Sequence, residues 1–251
     1  MQGMLPHSFL FDQATDLIRL GGDHDGGYLV SESDVMKSNY LLSMGIADDW
    51  RFEAGFLRIK PVPITAYDAS ISAAYFLKKT LKSLWALSRK APRWARVAIK
   101  YNLFFSKKNV KHIKQFVGAS SKGKSYCDLS SALAPAKNTP FFLKIDIEGD
   151  EYDLLDELIA HQSNMTGLVI EFHDCPDYLA RIESFIAQCE LRLVHIHANN
   201  CAALEATTGL PSVLELTFSR HADLGTSATL PHPLDQPNDS KKEEILLAFS
   251  Q

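Results

Sequence analysis

Short apolar runs recur along the chain and alternate with segments in which apolar residues follow helical spacing. The runs predict strands at 39–46, 62–68, 110–118, 141–146, 166–172, 191–199 and 212–218, with a further short strand at 245–249. Helical spacing is clearest at 152–159 and 178–186. Such short, nearly continuous apolar strands separated by helices are typical of a parallel sheet covered on both faces. Between the last two of the seven strands no helical pattern is present, which predicts an antiparallel pair.

Polar residues follow five of the predicted strands at the points where the strands end. In a parallel sheet these ends meet at one edge, and ligands bind beyond that edge. The residues that this rule brings together are Gly45, Asp48, Asp49, Asp68, Asp146, Glu148, Glu171, His173, Asp174, His197, Asn199 and Asn200. The sequence therefore predicts one polar site to which several strands contribute.

A glycine turn after one strand and an acid at the end of the next are features of nucleotide sites. Gly45 supplies the turn, and Asp68 supplies an acid that can accept both ribose hydroxyls. The full G-x-G-x-x-G is absent, and Asp68 also suits an ordinary turn. Glu148, like the acids that follow it, also suits the start of a helix, where the dipole favours negative charge.

Length and cysteine usage indicate a folded intracellular protein. At 251 residues, 46% of them hydrophobic, the chain can bury a substantial core, and we expect one domain across 1–251. The four cysteines are scattered, with no C-x-x-C pair and no zinc-binding spacing, which favours reduced thiols in a cytoplasmic protein. The N-terminal residues lack the pattern of a secretory signal, and no apolar window is long enough to span a membrane.

Charge is distributed unevenly along the chain. The formal net charge is -4, yet Ala69 to Cys127 holds 14 Lys or Arg and no Asp or Glu. Two apolar stripes with helical spacing lie within this segment, the first Leu77, Leu81, Leu84 and Trp85, and the second Trp94, Val97, Ala98 and Tyr101. Pro92 suits a first helical turn. We therefore predict a basic insertion of two amphipathic helices at 71–108, between the second and third strands.

Three interpretations of this insertion are open. It can be a crossover elaboration that packs its stripes on the domain and leaves its charges solvated. It can instead make a peripheral contact at the inner membrane surface through residues 77–108, since aromatic and basic residues together suit an anionic interface. Nucleic-acid binding is the least favoured interpretation, because the rest of the chain is acidic.

Several motifs resemble those of the FkbM-type methyltransferases. They are RLGGDHDGGYLV (19–30), LLSMGIADDWRFE (41–53), ITAYDAS (64–70), LKIDIEGDEYDLL (143–155) and LVIEFHD (168–174), followed by HIHANN and PSVLELTF. The resemblance covers roughly 19–218, and KIDIEGDE is its most specific part. It implies an α/β, class I methyltransferase fold, Rossmann-like, with a seven-stranded, mostly parallel sheet and an antiparallel last strand.

The same resemblance implies S-adenosylmethionine as cofactor and assigns roles at the sheet edge. Gly45, Ile46 and Asp48 would form the cofactor loop, Asp68 would hold the ribose, and Asp146 would lie beside the methyl group. The candidates for binding the acceptor are Glu148, Glu171, His197, Asn199 and Asn200. The chain departs from the pattern at Ala47, where such loops often have another glycine.

The resemblance, and no single residue, also implies the expected reaction, O-methylation of a carbohydrate or a related polar acceptor. The partner would be a small molecule or a glycan, and nucleic acid is not expected. Two alternatives remain: methylation of RNA or protein, and a catalytically inactive protein that binds the cofactor or a glycan, which Ala47 motivates.

The proton acceptor is predicted from pKa and position. His173 is the first candidate, because histidine titrates near neutrality and follows a strand directly. Asp146 is the second, and a purely structural role for His173 is the alternative. His195 and His197 share one face of a strand and could bind a metal beside Asp146, but the spacing contains no recognisable ligand set, so no metal is predicted.

Overall fold

The computed structural model describes residues 1–119, 122–225 and 229–250. The strands are β1 (Gln2–Leu5), β2 (Leu17–Leu20), β3 (Tyr28–Ser31), β4 (Tyr40–Met44), β5 (Ile64–Tyr67), β6 (Val110–Ile113), β7 (Phe116–Val117), β8 (Tyr126–Cys127), β9 (Phe141–Ile145), β10 (Met165–Phe172), β11 (Arg192–Ala198), β12 (Leu214–Ser219) and β13 (Leu246–Phe249). The helices are α1 (Glu32–Lys37), α2 (Arg51–Ile59), α3 (Ala73–Trp85), α4 (Ala91–Phe105), α5 (Leu129–Leu133), α6 (Leu155–His161) and α7 (Cys175–Gln188). Short 3-10 turns lie at His7–Phe9, Ala134–Ala136, Glu151–Leu154 and Gln162–Asn164.

The central sheet has seven strands in the order β11-β12-β10-β9-β4-β5-β6. Strands β9 and β10 pair in parallel, as do β9 with β4, β4 with β5 and β5 with β6. Strand β12 is antiparallel to both of its neighbours. The fold class predicted from the sequence is therefore confirmed, including the antiparallel pairing of the last two strands.

Helices cover both faces of this sheet, which explains the unbroken apolar runs. Leu41 and Leu42 are adjacent in β4 and both fully buried. Leu41 packs in the core that contains Phe56 of α2, whereas Leu42 packs in the opposite core with Leu158 of α6. Because each residue faces a different apolar layer, the alternation seen in half-exposed strands is absent.

The structure corrects the predicted strand at 110–118. The backbone N–H of Gln115 donates to the carbonyl oxygen of Ile113 at 2.9 Å, and this tight turn ends β6. The following residues form β7, which pairs in parallel with β8 outside the central sheet. One predicted strand is therefore two.

Pro, Asp and Asn are frequent at 231–244, and this composition predicts a surface loop before the last strand. In the structure the segment is instead partly buried. Asp235 and Asn238 are almost inaccessible, and their side chains contact the sheet. Strand β13 that follows pairs in parallel with β1. We call residues 231–244 the C-terminal segment.

Helices α3 and α4 form the predicted insertion between β5 and β6, here called the hairpin (residues 73–105). Its two apolar stripes have different environments. Trp94, Val97, Ala98 and Tyr101 pack on the core around Phe76, whereas Leu77, Leu81, Leu84 and Trp85 are exposed. Packing on the domain therefore accounts for one stripe only. Among the helices of the described residues, none combines the length and the apolar character that crossing a bilayer requires.

Candidate active site

A cavity of about 500 Å³ opens where β4, β5 and β9 end. Its charged lining consists of seven carboxylates and one cation: Asp25, Asp48, Asp49, Asp68, Asp146, Glu148, Asp150 and Lys144. Phe52, Phe116 and Tyr126 add aromatic surface. The volume suits a ligand of cofactor size. Asp48, Asp49 and Asp150 form ion pairs with Arg93, Arg51 and Lys122, which lie outside this lining, so the net negative charge is smaller than the number of carboxylates. The excess that remains favours a ligand that carries positive charge.

The turn after β4 depends on Gly45. Its φ is +77°, and a Cβ built there would overlap the carbonyl oxygen of Asp146. The Gly45 N–H donates to the carbonyl oxygen of Tyr67 at 2.9 Å, and Lys144 Nζ donates to the Gly45 carbonyl oxygen at 2.7 Å. The turn is thus tied to both neighbouring strands, β5 and β9.

Asp68 holds the same turn through both carboxylate oxygens. Oδ2 accepts from the backbone N–H groups of Ile46 and Ala47 at 3.0 and 2.8 Å. Oδ1 accepts from the backbone N–H and the hydroxyl of Ser70 at 2.7 and 2.6 Å. A carboxylate has about four acceptor positions, and all of them are in use here. A ribose hydroxyl could bind Asp68 only by displacing one of these donors.

Five residues other than glycine in the described part of the chain have left-handed backbone. Two of them, Ala47 and Glu148, line the cavity, and Asp174 directly follows His173. Ala47, Glu148 and Asp174 have φ values of 41°, 57° and 50°. Each such conformation costs about 1–2 kcal/mol, and strain of this kind concentrates at functional sites. Ala47 therefore occupies the conformation that the glycine expected from related motifs would adopt freely.

Asp146 is an acid of the cavity lining whose carboxylate is held by two neighbouring side chains. It follows β9 and its side chain is 25% exposed. The buried Tyr28 hydroxyl donates to its Oδ2 at 2.9 Å, and Lys144 Nζ lies 3.4 Å from the same oxygen. Burial lowers the pKa of Lys144, but the negative charges of Asp146, Glu53 and Glu171 outweigh this effect and raise it overall. Lys144 therefore stays cationic.

Glu171 lies behind Asp146 and shares the Tyr28 hydroxyl with it. Tyr28 Oη is 2.9 Å from an oxygen of each acid, but its single proton can serve only one of them. Burial, then the charges of Asp146 and Glu215, raise the pKa of Glu171 well above its usual range. A protonated Glu171 donating to Tyr28, which in turn donates to Asp146, satisfies both contacts. Asn199 Nδ2 donates to the other Glu171 oxygen at 3.0 Å.

His173 is held by Glu151, which is fully buried. His173 Nδ1 lies 3.0 Å from Glu151 Oε1, and the Glu151 carboxylate also accepts from the backbone N–H groups of Ile147 and Gly149. Burial lowers the pKa of His173, but the hydrogen bond and charge of Glu151 with the other nearby acids raise it to about 9. The imidazole is therefore protonated at neutral pH. It cannot act there as a general base without first losing that proton.

The cavity brings together six of the predicted site residues and leaves five outside its lining. Those in the lining are Gly45, Ile46, Asp48, Asp68, Asp146 and Glu148, and those outside are Glu171, His173, His197, Asn199 and Asn200. His197 is bound on both nitrogens, by Glu215 at 3.1 Å and Glu244 at 3.0 Å. Asn200 accepts from the Asp239 N–H and donates to carbonyl oxygens of the C-terminal segment. His197 and Asn200 therefore hold the C-terminal segment against the end of the sheet, where the sequence predicted a surface loop.

Three further residues of the site were not predicted: Tyr28, Lys144 and Glu151. Lys144 carried a usable signal, since a charged residue inside a fully buried strand must find a partner. In the sequence, Tyr28 lies 118 residues before its partner Asp146. Glu151 lies 22 residues before its partner His173. Such pairings depend on the folded arrangement and not on local pattern.

Asp146, Glu171 and His173 form a cluster whose ligand atoms lie within 4.8 Å of one another. This geometry would suit a divalent ion, but metal ligands must be deprotonated. Glu171 and His173 both have raised pKa values, and Lys144 already neutralises Asp146. That no metal is needed stays a prediction.

Comparison with known proteins gives structural similarity only. No family model matches the chain, and no curated protein matches its sequence.

Among solved structures, the chain is similar to precorrin-6y C5,15-methyltransferase from Geobacter metallireducens, with 11% identity, coverage of 74% of this chain and 82% of that chain, and a TM-score of 0.41. It is similar to the fibrillarin pre-rRNA processing protein of Methanococcus jannaschii, with 8% identity, 76% and 70% coverage and a TM-score of 0.39. An rRNA methylase from Streptococcus thermophilus has 8% identity, 75% and 92% coverage and a TM-score of 0.38. At these identities and TM-scores the similarities identify neither a cofactor nor a substrate for this chain.

Proposed function

We propose that this protein is an S-adenosylmethionine-dependent methyltransferase that methylates a hydroxyl of a small polar acceptor such as a carbohydrate. The observation that carries the proposal is the acid-rich cavity at the carboxyl ends of β4, β5 and β9. Ligands of doubly wound sheets bind at this position. The motifs shared with FkbM-type methyltransferases support the choice of a hydroxyl acceptor.

The cavity lining fits this cofactor. When bound, S-adenosylmethionine supplies an electrophilic methyl group on a positively charged sulfur. The lining contains seven carboxylates and one lysine, and that lysine is engaged with Gly45 and Asp146. Three of the carboxylates pair with basic side chains outside the lining, and the charge of the others favours a cationic ligand. The Gly45 turn permits close approach of a ligand to the backbone, and the aromatic lining suits a purine.

Asp146 is the proton acceptor in this proposal. It faces the cavity, and Tyr28 and Lys144 fix its carboxylate from the opposite side. A positioned carboxylate can orient a hydroxyl and take its proton as the oxygen attacks. His173 is assigned a different role: through Glu151 it shapes the turn at 147–149, and its positive charge balances the surrounding acids.

The charge of the cavity also bears on the class of acceptor. Carboxylates accept hydrogen bonds from sugar hydroxyls, whereas they repel phosphate groups. Asp25 and Glu148 are the exposed acids of the lining, and an acceptor would enter beside them. A neutral polyol therefore suits this entrance better than a nucleic acid does.

The first test is calorimetric titration with S-adenosylmethionine and S-adenosylhomocysteine. Wild-type protein should bind both, and the affinity for S-adenosylmethionine should fall more steeply with added salt, because only that ligand carries the sulfonium charge. Asp68→Asn should weaken binding about tenfold or more, since an amide cannot accept all four donors that fix the Gly45 turn.

Asp12→Asn is the matched control, because Asp12 is exposed and is not part of the cavity lining. It should titrate like the wild type. A wild-type protein that binds neither ligand would refute the methyltransferase proposal. If the cofactor binds, transfer of a labelled methyl group to monosaccharides and glycans, with RNA in parallel, tests the acceptor. Methylation of RNA alone would refute the hydroxyl-of-a-carbohydrate part and leave the cofactor part standing.

A further inference from the structure

The outer face of the hairpin is an apolar surface with nothing packed on it in the described chain. Leu77, Leu81 and Leu84 recur at helical spacing on α3 and are 56%, 51% and 55% exposed, and Trp85 beside them is 91% exposed. Ile99 and Leu103 of α4 and Leu87 of the connecting turn are exposed as well. Isolated exposed leucines are ordinary, but a stripe of them along one helix marks a surface that contacts something.

The inner face shows that the hairpin is held firmly in this orientation. Phe76 of α3 packs against Trp94 and Tyr101 of α4, with ring centroids 6.5 and 5.4 Å apart. Trp50, at the start of α2, packs against Phe76 and Tyr101 from the domain side. Lys79 Nζ lies 4.1 Å from the centre of the Trp94 ring. The exposed stripe is therefore not an inner face that has turned outward.

The charge around this stripe has a single sign. Lys78 and Lys82 follow Leu77 and Leu81 directly and are exposed. Further exposed cations on the hairpin are Arg89, Lys90, Arg93, Arg96 and Lys100. From residue 69 to 127 the sequence contains no acid at all. The partner must therefore offer apolar material together with negative charge.

That requirement separates the candidate partners. A second copy of the same face would bring like charges together, which opposes pairing. Single-stranded nucleic acid is bound by stacking bases on aromatic rings, and the exposed stripe is mainly aliphatic, with Trp85 as its one strongly exposed ring. An anionic bilayer surface offers both an acyl region for leucine and tryptophan and negative headgroups for lysine and arginine.

We propose that the outer face of the hairpin binds the surface of membranes that contain anionic lipids. The helices lie on the interface and do not cross it, since α3 and α4 have 13 and 15 residues. The hairpin also joins the cavity: Arg93 forms an ion pair with Asp48 of the cavity lining at 3.2 Å, and α3 begins shortly after Asp68 and Ser70. Binding would hold the cavity close to the lipid surface.

The test is co-sedimentation of the full-length protein with vesicles. Vesicles of phosphatidylcholine and phosphatidylglycerol in equal parts should sediment most of the protein, and vesicles of phosphatidylcholine alone should sediment at least tenfold less. The double variant Leu81→Gln, Trp85→Gln and the double variant Lys78→Gln, Lys82→Gln should each lose binding at least tenfold. All four side chains are exposed, so both variants should keep the wild-type melting temperature.

The matched control is Met36→Gln, Lys37→Gln on α1, which removes one exposed apolar side chain and one exposed lysine away from the hairpin. It should bind vesicles like the wild type. The proposal is overturned if the wild type does not sediment with anionic vesicles, if the control loses as much binding as the hairpin variants, or if the hairpin variants bind normally. Binding of single-stranded RNA without vesicle binding would assign the surface to nucleic acid and also overturn it.

Discussion

Two clusters of acids and histidines lie at the carboxyl end of the sheet, and they differ in what they enclose. The site cluster is Tyr28, Asp146, Glu151, Glu171 and His173, and the C-terminal cluster is His195, His197, Glu215, Asp235 and Glu244. In the C-terminal cluster both nitrogens of His197 are bound to acids, and Asp235 lies 3.1 Å from His195. In the site cluster Asp146 keeps an exposed face toward the cavity.

The difference teaches that residue type and position at a strand end do not by themselves mark a site. His173 and His197 both follow or end apolar strands, both contact glutamate, and both have pKa values raised by that contact, to about 9 and about 10, against the opposing effect of burial. What separates them is the C-terminal segment, which covers one cluster and leaves the other open. The predictions below test that separation.

The largest effect is expected from Asp146→Asn in the site cluster. The amide keeps the size of the side chain but cannot take a proton, so methyl transfer should fall by about 10²–10⁴-fold. Cofactor affinity should change far less, because the four hydrogen bonds by which Asp68 holds the turn remain. Transfer rates and calorimetric titration check the two parts. An Asp146→Asn variant with wild-type transfer would remove Asp146 from the chemistry.

His197→Ala should lower the stability of the protein and leave cofactor binding intact. Removing the imidazole leaves Glu215 and Glu244 without their shared partner, which should cost about 3–5 kcal/mol in free energy of unfolding. Urea denaturation measures this cost. His7→Ala is the control, because His7 is exposed and should change stability by less than about 0.5 kcal/mol. Cofactor binding by the folded fraction of His197→Ala should persist; its complete loss would place His197 in the site.

The pH dependence of stability should separate the two histidines. The folded-state pKa of His173 lies at about 9, above the ordinary 6.5, so its stabilisation is complete below about pH 6.5 and is lost as pH rises through 9. Its full value is roughly 3 kcal/mol. The stability difference between wild type and His173→Asn should therefore shrink over that window. A difference that grows with pH would contradict the assignment of His173 as a cation.

Ala47→Gly should stabilise the protein slightly and change its affinity for the cofactor. Relief of the left-handed backbone exceeds the entropic cost of glycine by roughly 0.5–1 kcal/mol. Leu87→Gly is the matched control, since Leu87 has a φ of 47° in the turn of the hairpin. Both changes should raise the melting temperature, but only Ala47→Gly should alter cofactor affinity. Equal effects of the two on binding would mean that the Ala47 turn does not contact the ligand.

The smallest effect is expected from metal ions. Chelation with EDTA and addition of Mg²⁺ should leave the melting temperature and methyl transfer unchanged, because Lys144 and a protonated His173 already supply positive charge at Asp146 and Glu171. Loss of transfer on chelation, restored by Mg²⁺, would instead make Asp146, Glu171 and His173 metal ligands.

Much of the fold was predictable because its determinants are local. Buried strands such as β4 and β9 are mostly apolar, with one polar residue each, and the polar residues His173 and Asp174 mark the break between β10 and α7. The division of 110–118 into β6 and β7 was not predictable, since it depends on pairing with β8, which follows after several further residues. Strand periodicity contains no information about that partner.

The predictable residues of the site are those that directly follow a strand of the central sheet. Gly45, Asp68 and Asp146 follow this rule and line the cavity. The rule did not foresee that His197 and Asn200 lie outside the cavity lining, because the segment that covers them comes some forty residues later in the chain. It also missed Tyr28, whose role depends on a hairpin, β2 and β3, that approaches Asp146 from outside the central sheet.

The reach of Lys144 across the sheet has a consequence for motion. One ammonium group contacts the carbonyl oxygen of Gly45 and the carboxylate of Asp146, so the backbone of one strand end and the side chain of another are joined at a single atom. A ligand that displaces the Gly45 turn would therefore pull on Asp146 at the same time. Rearrangement of the loop and alignment of the acid are therefore coupled through Lys144.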